Sequence, residues 1–168
     1  MAKALFIVDV QNFFKNKETN IIAAMINDYI QKNKDNYKLI IFTVFKNDEK
    51  SSLWNVLKWQ GCNEDKDIEI MEPLSAIADK SGIIQRNTYS LFKSPEIQEK
   101  LKSNNISEVD ICGFDTDCCV LATAYDLFDS GYKVNVLENL CFSTSEEKLH
   151  DPAIKILARN CGAVNIKQ

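Results

Sequence analysis

Val109-Asp110-Ile111-Cys112-Gly113-Phe114-Asp115-Thr116-Asp117 is the stretch on which the fold turns. A short apolar run ends in residues that start helices well, which predicts a strand at Val109 to Phe114 and a helix directly after it. Val120, Ala124, Leu127 and Phe128 then fall on one stripe of that helix, and Gly131 stands where a helix C-terminus wants a residue tolerant of positive φ. Tyr132 to Leu137 reads as the next strand. Strand, helix and strand in this order form the unit from which parallel sheets are built.

The same alternation recurs toward both ends. Ala4 to Val10 is an almost unbroken apolar run, the pattern of a strand covered on both faces, and Ile21 to Ile30 carries apolar residues at helical spacing. Leu39 to Phe45 is a second buried strand, followed by a polar loop and a short helix or turn around Trp54, Leu57 and Trp59. Ile83 to Arg86 supplies a third strand and Glu96 to Lys102 its helix. A helix over Glu146 to Asn160 and a strand at Ala163 to Ile166 complete the series. The expected fold is α/β: a three-layer, doubly wound, mainly parallel sheet of roughly six strands, with right-handed crossovers and helices on both faces.

A length of 168 residues with 45% hydrophobic content suits one domain, 1–168, around a single core, and 5 Gly with 3 Pro leave little material for a linker. The net charge of -4, with both signs mixed along the chain, excludes a broad basic surface for nucleic acid. The apolar start is too short for a membrane span and is interrupted by Asp9, so neither membrane nor export is expected. The 6 cysteines are then expected reduced, in the cytoplasm. Cys118 and Cys119 are adjacent, a spacing that suits neither a CxxC redox pair nor a zinc site.

In open parallel sheets the ligand crevice lies beyond the carboxyl ends of the strands, where the winding reverses. Asp9 ends the first strand, Arg86 ends the third, and Cys119 opens the helix after the fourth. A thiol at a helix start meets the positive end of the backbone dipole, which favours thiolate, and a nearby carboxylate could take its proton. The competing reading of Cys119 is a small apolar residue packed on the sheet, and of Asp9 a cap for loop amides.

Ile7-Val8-Asp9-Val10-Gln11-Asn12-Phe13-Phe14 resembles the DxQxxF start of the isochorismatase-like cysteine hydrolases. Gly113-Phe114-Asp115-Thr116-Asp117-Cys118-Cys119-Val120, with Thr123 and Ala124, resembles that family's GxxTxxCVxxTA segment. The likeness extends through Phe42-Thr43, Tyr89-Ser90-Leu91-Phe92 and Gly131-Tyr132, essentially the whole chain. It implies Asp9 as general base, Cys119 as nucleophile, and backbone amides of Asp115 and Cys119 at the oxyanion, with a non-proline cis bond at Phe114-Asp115.

Arg86 stands where the family usually has a catalytic lysine, and an arginine stays cationic and does not shuttle protons. Gln11, Phe14, Phe45, Trp54 and Tyr89 are the candidate substrate-pocket residues, and the core is the competing reading for the aromatics. Lys46 and Arg86 together would favour an anionic or carbonyl-rich substrate, or else form a solvated rim.

Nicotinamidases of this family carry an Asp-x-His and a further His after the second strand. Here Thr43-Val44-Phe45-Lys46-Asn47-Asp48-Glu49 has no histidine, so no metal and no cofactor are expected. The only histidine, His150, reads as a solvated side chain. The resemblance therefore implies hydrolysis of an amide or related C–N bond in a small molecule by a self-associating protein. The alternatives are vinyl-ether cleavage, a binding homologue that lost turnover with Arg86, and a thiol redox role for Cys118 and Cys119.

Overall fold

Continuous apolar runs force burial on both faces, and the strand placed mid-sheet shows this most completely: Ala4, Leu5, Phe6, Ile7 and Val8 are fully buried. The computed structural model describes residues 2–78, 82–145 and 147–162. Its strands are β1 (Ala2–Val8), β2 (Leu39–Phe45), β3 (Ile83–Arg86), β4 (Ile106–Phe114) and β5 (Lys133–Phe142). They lie in the order β3-β2-β1-β4-β5, and every pairing is parallel. The described sheet thus has five strands. The further strand expected at 163–166 lies outside the described residues.

The helices are α1 (Lys17–Asn33), α2 (Ser52–Asn55), α3 (Pro95–Ser103), α4 (Leu121–Asp129) and α5 (His150–Cys161). The chain winds outward from β1 to β3, then crosses back over β1 to reach β4 and β5. With right-handed crossovers, that reversal puts α1 on one face and α3 and α4 on the other. The switch in winding lies between β1 and β4.

Helix ends differ from the periodicity where caps decide them. α1 starts at Lys17, ahead of the apolar stripe, because Asn16 and Thr19 exchange side-chain and backbone hydrogen bonds at 2.8 Å each. α5 starts only at His150, after a 3-10 turn at Glu147–Leu149. On α4, Ala124 and Leu127 are buried as expected, but Phe128 is 44% exposed, beyond the edge of the stripe that packs on the sheet.

The amino end of the sheet holds a closed polar network. Lys3 reaches Asp110 at 2.8 Å and Glu108 at 3.0 Å, and the Tyr37 hydroxyl donates to Asp110 at 2.5 Å. The catalytic candidates all lie at the opposite, carboxyl end.

Candidate functional site

The site is built where β1 and β4 run side by side. Gly113, at φ 112, lets them approach, since a Cβ there would sit 2.1 Å from the Val8 carbonyl oxygen. After Val8 the chain turns through Asp9, whose φ of 52 lies in the left-handed region that Asp tolerates better than most residues. The Asp9 amide donates to the Thr43 carbonyl at 3.2 Å and its carbonyl accepts from the Gln11 amide at 2.8 Å, so the backbone is held from both sides.

The Asp9 side chain is fully buried. It accepts a hydrogen bond from the Thr43 hydroxyl at 3.0 Å and forms an ion pair with Arg86, and the Cys119 thiol lies close enough to influence its protonation. Burial pushes its carboxyl above the ordinary value, against the opposing pull of Arg86, the Thr43 hydroxyl and the nearby Cys119 thiol. Burial also works against the Arg86 charge, but Asp9 and Cys119 outweigh it and hold the guanidinium protonated.

Arg86 is nearly as buried as its partner. One terminal nitrogen donates to Asp9 and the other to the Thr88 carbonyl, and the guanidinium carbon lies 5.5 Å from the centre of the Phe45 ring. Its Nε is buried without a hydrogen-bond partner.

The peptide between Phe114 and Asp115 is cis, as the resemblance implied. A π-helical turn, Thr116–Val120, then carries Cys119 before α4 begins. The Asp115 carbonyl accepts from the amides of Cys118 and Val120 at 3.1 Å each. The Asp115 side chain does not cap this helix, contrary to expectation. Instead, its carboxylate accepts from the Thr144 amide at 2.7 Å, across the gap to the segment after β5.

Cys119 is 6% exposed, and the expected thiolate is not favoured there. The neighbouring Cys118 thiol, followed by burial, pushes the Cys119 pKa well above the free-thiol value, and Arg86 opposes this only in part. Low-dielectric surroundings outweigh the helix-terminus effect that the sequence suggested.

A cavity of about 460 Å³ opens onto Cys119. Phe13, Phe14, Phe45, Trp59 and Tyr89 form an aromatic wall, and Asp115, Cys118, Cys119, Thr144 and Ser145 a polar one. Trp59 stacks on Phe45, with ring centres 6.3 Å apart, and meets Phe13 edge-on at 5.7 Å.

The structure thus brings Asp9, Arg86 and Cys119 together and sets Phe14, Phe45 and Tyr89 on the cavity. Gln11 and Trp54 are not part of its wall. Gln11 is a buried clamp: its amide nitrogen donates to the Phe45 carbonyl at 2.8 Å and the Asp67 carbonyl at 3.1 Å, and its oxygen accepts from the Phe45 amide at 2.7 Å. Trp59 takes the place expected of Trp54. Lys46 pairs with Asp65 at 2.5 Å and, like Arg86, does not line the cavity.

Thr144 and Ser145 were missed by the sequence reading. Their signal was a run of small polar residues directly after a strand's carboxyl end. His150 is half-buried rather than solvated, and its Nδ1 shares a 2.8 Å hydrogen bond with the Thr116 hydroxyl of the π turn.

Residues 3–167 match the Isochorismatase domain family. Nicotinamidase 3 of Arabidopsis thaliana is 25% identical over 162 residues, covering 92% of this chain and 80% of that protein. Among solved structures, nicotinamidase PncA of Bacillus subtilis superposes with a TM-score of 0.84 at 23% identity, covering 98% of this chain and 99% of its own. The pyrazinamidase of Pyrococcus horikoshii, solved in complex with zinc, gives 0.83 at 24% identity, covering 100% of this chain and 99% of its own.

The residues of this chain do not suit a zinc ion at the place the nicotinamidase ligands would occupy. After β2, the buried Asn47 donates to the Trp59 carbonyl at 2.8 Å and accepts from the Ser51 hydroxyl, while Phe45 offers only a ring. Amides and hydroxyls already satisfied by each other are poor zinc ligands. Among the described residues, no group of three or more His, Cys, Asp or Glu converges on a point.

Proposed function

Since the chain belongs to the isochorismatase family, we propose that it hydrolyses an amide or related C–N bond of a small molecule through a thioester on Cys119, with Asp9 as the base. The observation that carries this reading is the convergence of the buried Asp9 carboxylate, its Arg86 partner and the Cys119 thiol, which act on one another's proton affinity, with Cys119 on the cavity wall. A carboxylate raised by burial is a stronger base than one in water, and it faces a thiol that keeps its proton until attack.

Asp9 takes the thiol proton as Cys119 Sγ attacks the carbonyl carbon. The resulting oxyanion is held by the backbone amides of Asp115 and Cys119. The C–N bond then breaks, the proton on Asp9 passes to the leaving nitrogen, and a thioester remains. Water, deprotonated by Asp9, attacks the thioester and releases the acid and the thiol. Arg86 keeps Asp9 ionised and oriented and takes no proton itself.

The aromatic wall suits a flat acyl group, and the similarity to proteins named nicotinamidase is consistent with an aromatic carboxamide. Six free cysteines suit a reducing compartment such as the cytoplasm, and self-association follows from the family likeness alone. No helix among the described residues is long and apolar enough to cross a membrane.

A screen of aromatic carboxamides by ammonia release tests the reading. Loss of release in Cys119→Ala supports it, and retention overturns it. A second reading, a binding homologue without turnover, draws on the locked Arg86 in the lysine position. Hydrolysis that appears only in Arg86→Lys would favour it.

A further inference from the structure

The cavity has one charged side chain deep in its wall, and the reaction above does not use it. Asp115 contributes its backbone amide to the proposed oxyanion site, but its carboxyl lies elsewhere: on the polar wall beside Cys119, 8% exposed and tied to the Thr144 amide at 2.7 Å. The other charged residue of the wall is Lys15, which is exposed at the mouth. The cations that might have answered the carboxyl are engaged elsewhere, Arg86 with Asp9 and Lys46 with Asp65.

We propose that Asp115 is a specificity-determining residue, selecting flat aromatic substrates that present a cationic or hydrogen-bond-donating nitrogen to its carboxyl and turning away anionic ones. A carboxylate on a partly dry wall accepts hydrogen bonds strongly from N–H donors and repels a second carboxylate. This reverses the preference for anions that the sequence suggested for Lys46 and Arg86. It rests on the hydrolase reading for its meaning as substrate choice, while the binding preference itself does not need turnover.

Burial raises this carboxyl to about 6, opposed by Thr144, so its selectivity weakens in mild acid. The titratable or charged groups around it are Asp9 after β1, Asp117 and Cys119 on the π turn, Lys15 at the mouth, and His150 on α5 through Thr116.

Binding of benzylammonium, benzamide and benzoate to the full chain, followed by NMR titration, tests the proposal. At pH 8 the parent should bind benzylammonium about tenfold or more tightly than benzoate, with benzamide between them. Asp115→Asn keeps the shape and the acceptor for Thr144, and should erase that order. The parent at pH 5 should lose most of the preference without any substitution.

An order that survives in Asp115→Asn and at pH 5 overturns the proposal, as does failure of all three probes to bind. A charge preference that depends on Asp115 in a protein that hydrolyses no amide would sink the hydrolase reading and leave this one standing. Hydrolysis that depends on Cys119 without any charge preference would do the reverse.

Discussion

Arg86 and Asp9 are bound to each other beneath the cavity, and the arginine's charge also bears directly on the Cys119 thiol. Its remaining terminal nitrogen is committed to Thr88, and it forms no part of the cavity wall. The arginine is therefore a positioning group, felt through the carboxylate it holds and through its charge beside the thiol. Removing it in Arg86→Ala leaves a buried carboxylate without a counter-charge. About 3–5 kcal/mol of stability should be lost at neutral pH. The loss should shrink as the pH falls and Asp9 takes up a proton, which urea denaturation at two pH values would read. Arg86→Lys should recover much of it.

Asp9→Asn suits the left-handed backbone at least as well as aspartate, but it leaves the buried Arg86 without its counter-charge and should cost about 3–5 kcal/mol of stability. Its kcat/KM for any amide the parent hydrolyses should fall by about 10³-fold or more, as should that of Cys119→Ala. Steady-state kinetics, run at a temperature where thermal unfolding curves show each variant still folded, would check both.

Alkylation of Cys119 by iodoacetamide should be slow at pH 7 and climb only at alkaline pH, since burial and Cys118 hold the thiol up. Cys118→Ala and Asp9→Asn each remove a raising influence and should move the profile to lower pH. Arg86→Ala removes a lowering one and should move it higher. Peptide mass spectrometry against pH reads all four proteins, and a parent profile centred below the free-thiol range would contradict the burial argument.

Gln11→Ala should cost about 2–3 kcal/mol, because it leaves the Phe45 amide and the Asp67 carbonyl without the side-chain partner they have and leaves the Phe45 carbonyl to the Cys62 thiol alone. The midpoint of urea unfolding should fall with little change in slope. A loss below about 0.5 kcal/mol would mean that water replaces the clamp.

Asp115 also makes stability depend on pH. Its folded value of about 6 lies above the ordinary carboxylate value of 3.8, so between those limits the folded protein binds more protons than the unfolded chain. Its ionisation therefore destabilises the fold in full above pH 6 and ceases to do so below about pH 4. Asp115→Asn should be more stable than the parent at pH 8, by at most about 3 kcal/mol, and the advantage should vanish on acidification. Chemical denaturation across that range decides it.

The sheet was legible because burial on two faces writes itself as unbroken apolar runs. β2 and β3 match their sequence-based bounds residue for residue. Helix ends were less legible where a cap, as at Asn16, lies outside the apolar stripe. The trio of Asp9, Arg86 and Cys119 followed from strand ends and family motifs together, neither of which would have sufficed alone. The thiol's protonation did not follow, because a dipole can be read from position while burial can be read only from packing. Trp59 was missed in favour of Trp54 because the choice depends on how an irregular loop folds back over Phe45, and no period describes such a loop.

The two walls of the cavity come from different stretches of chain, the aromatic one from residues up to Tyr89 and the polar one from Asp115 to Ser145. An engineer can therefore treat the loop from Leu53 to Trp59 as an exchangeable cassette. Swapping it would reshape the aromatic wall while leaving Cys119, Asp9 and Asp115 untouched. In a natural lineage the same partition would let substrate range drift without passing through a chemically inactive ancestor.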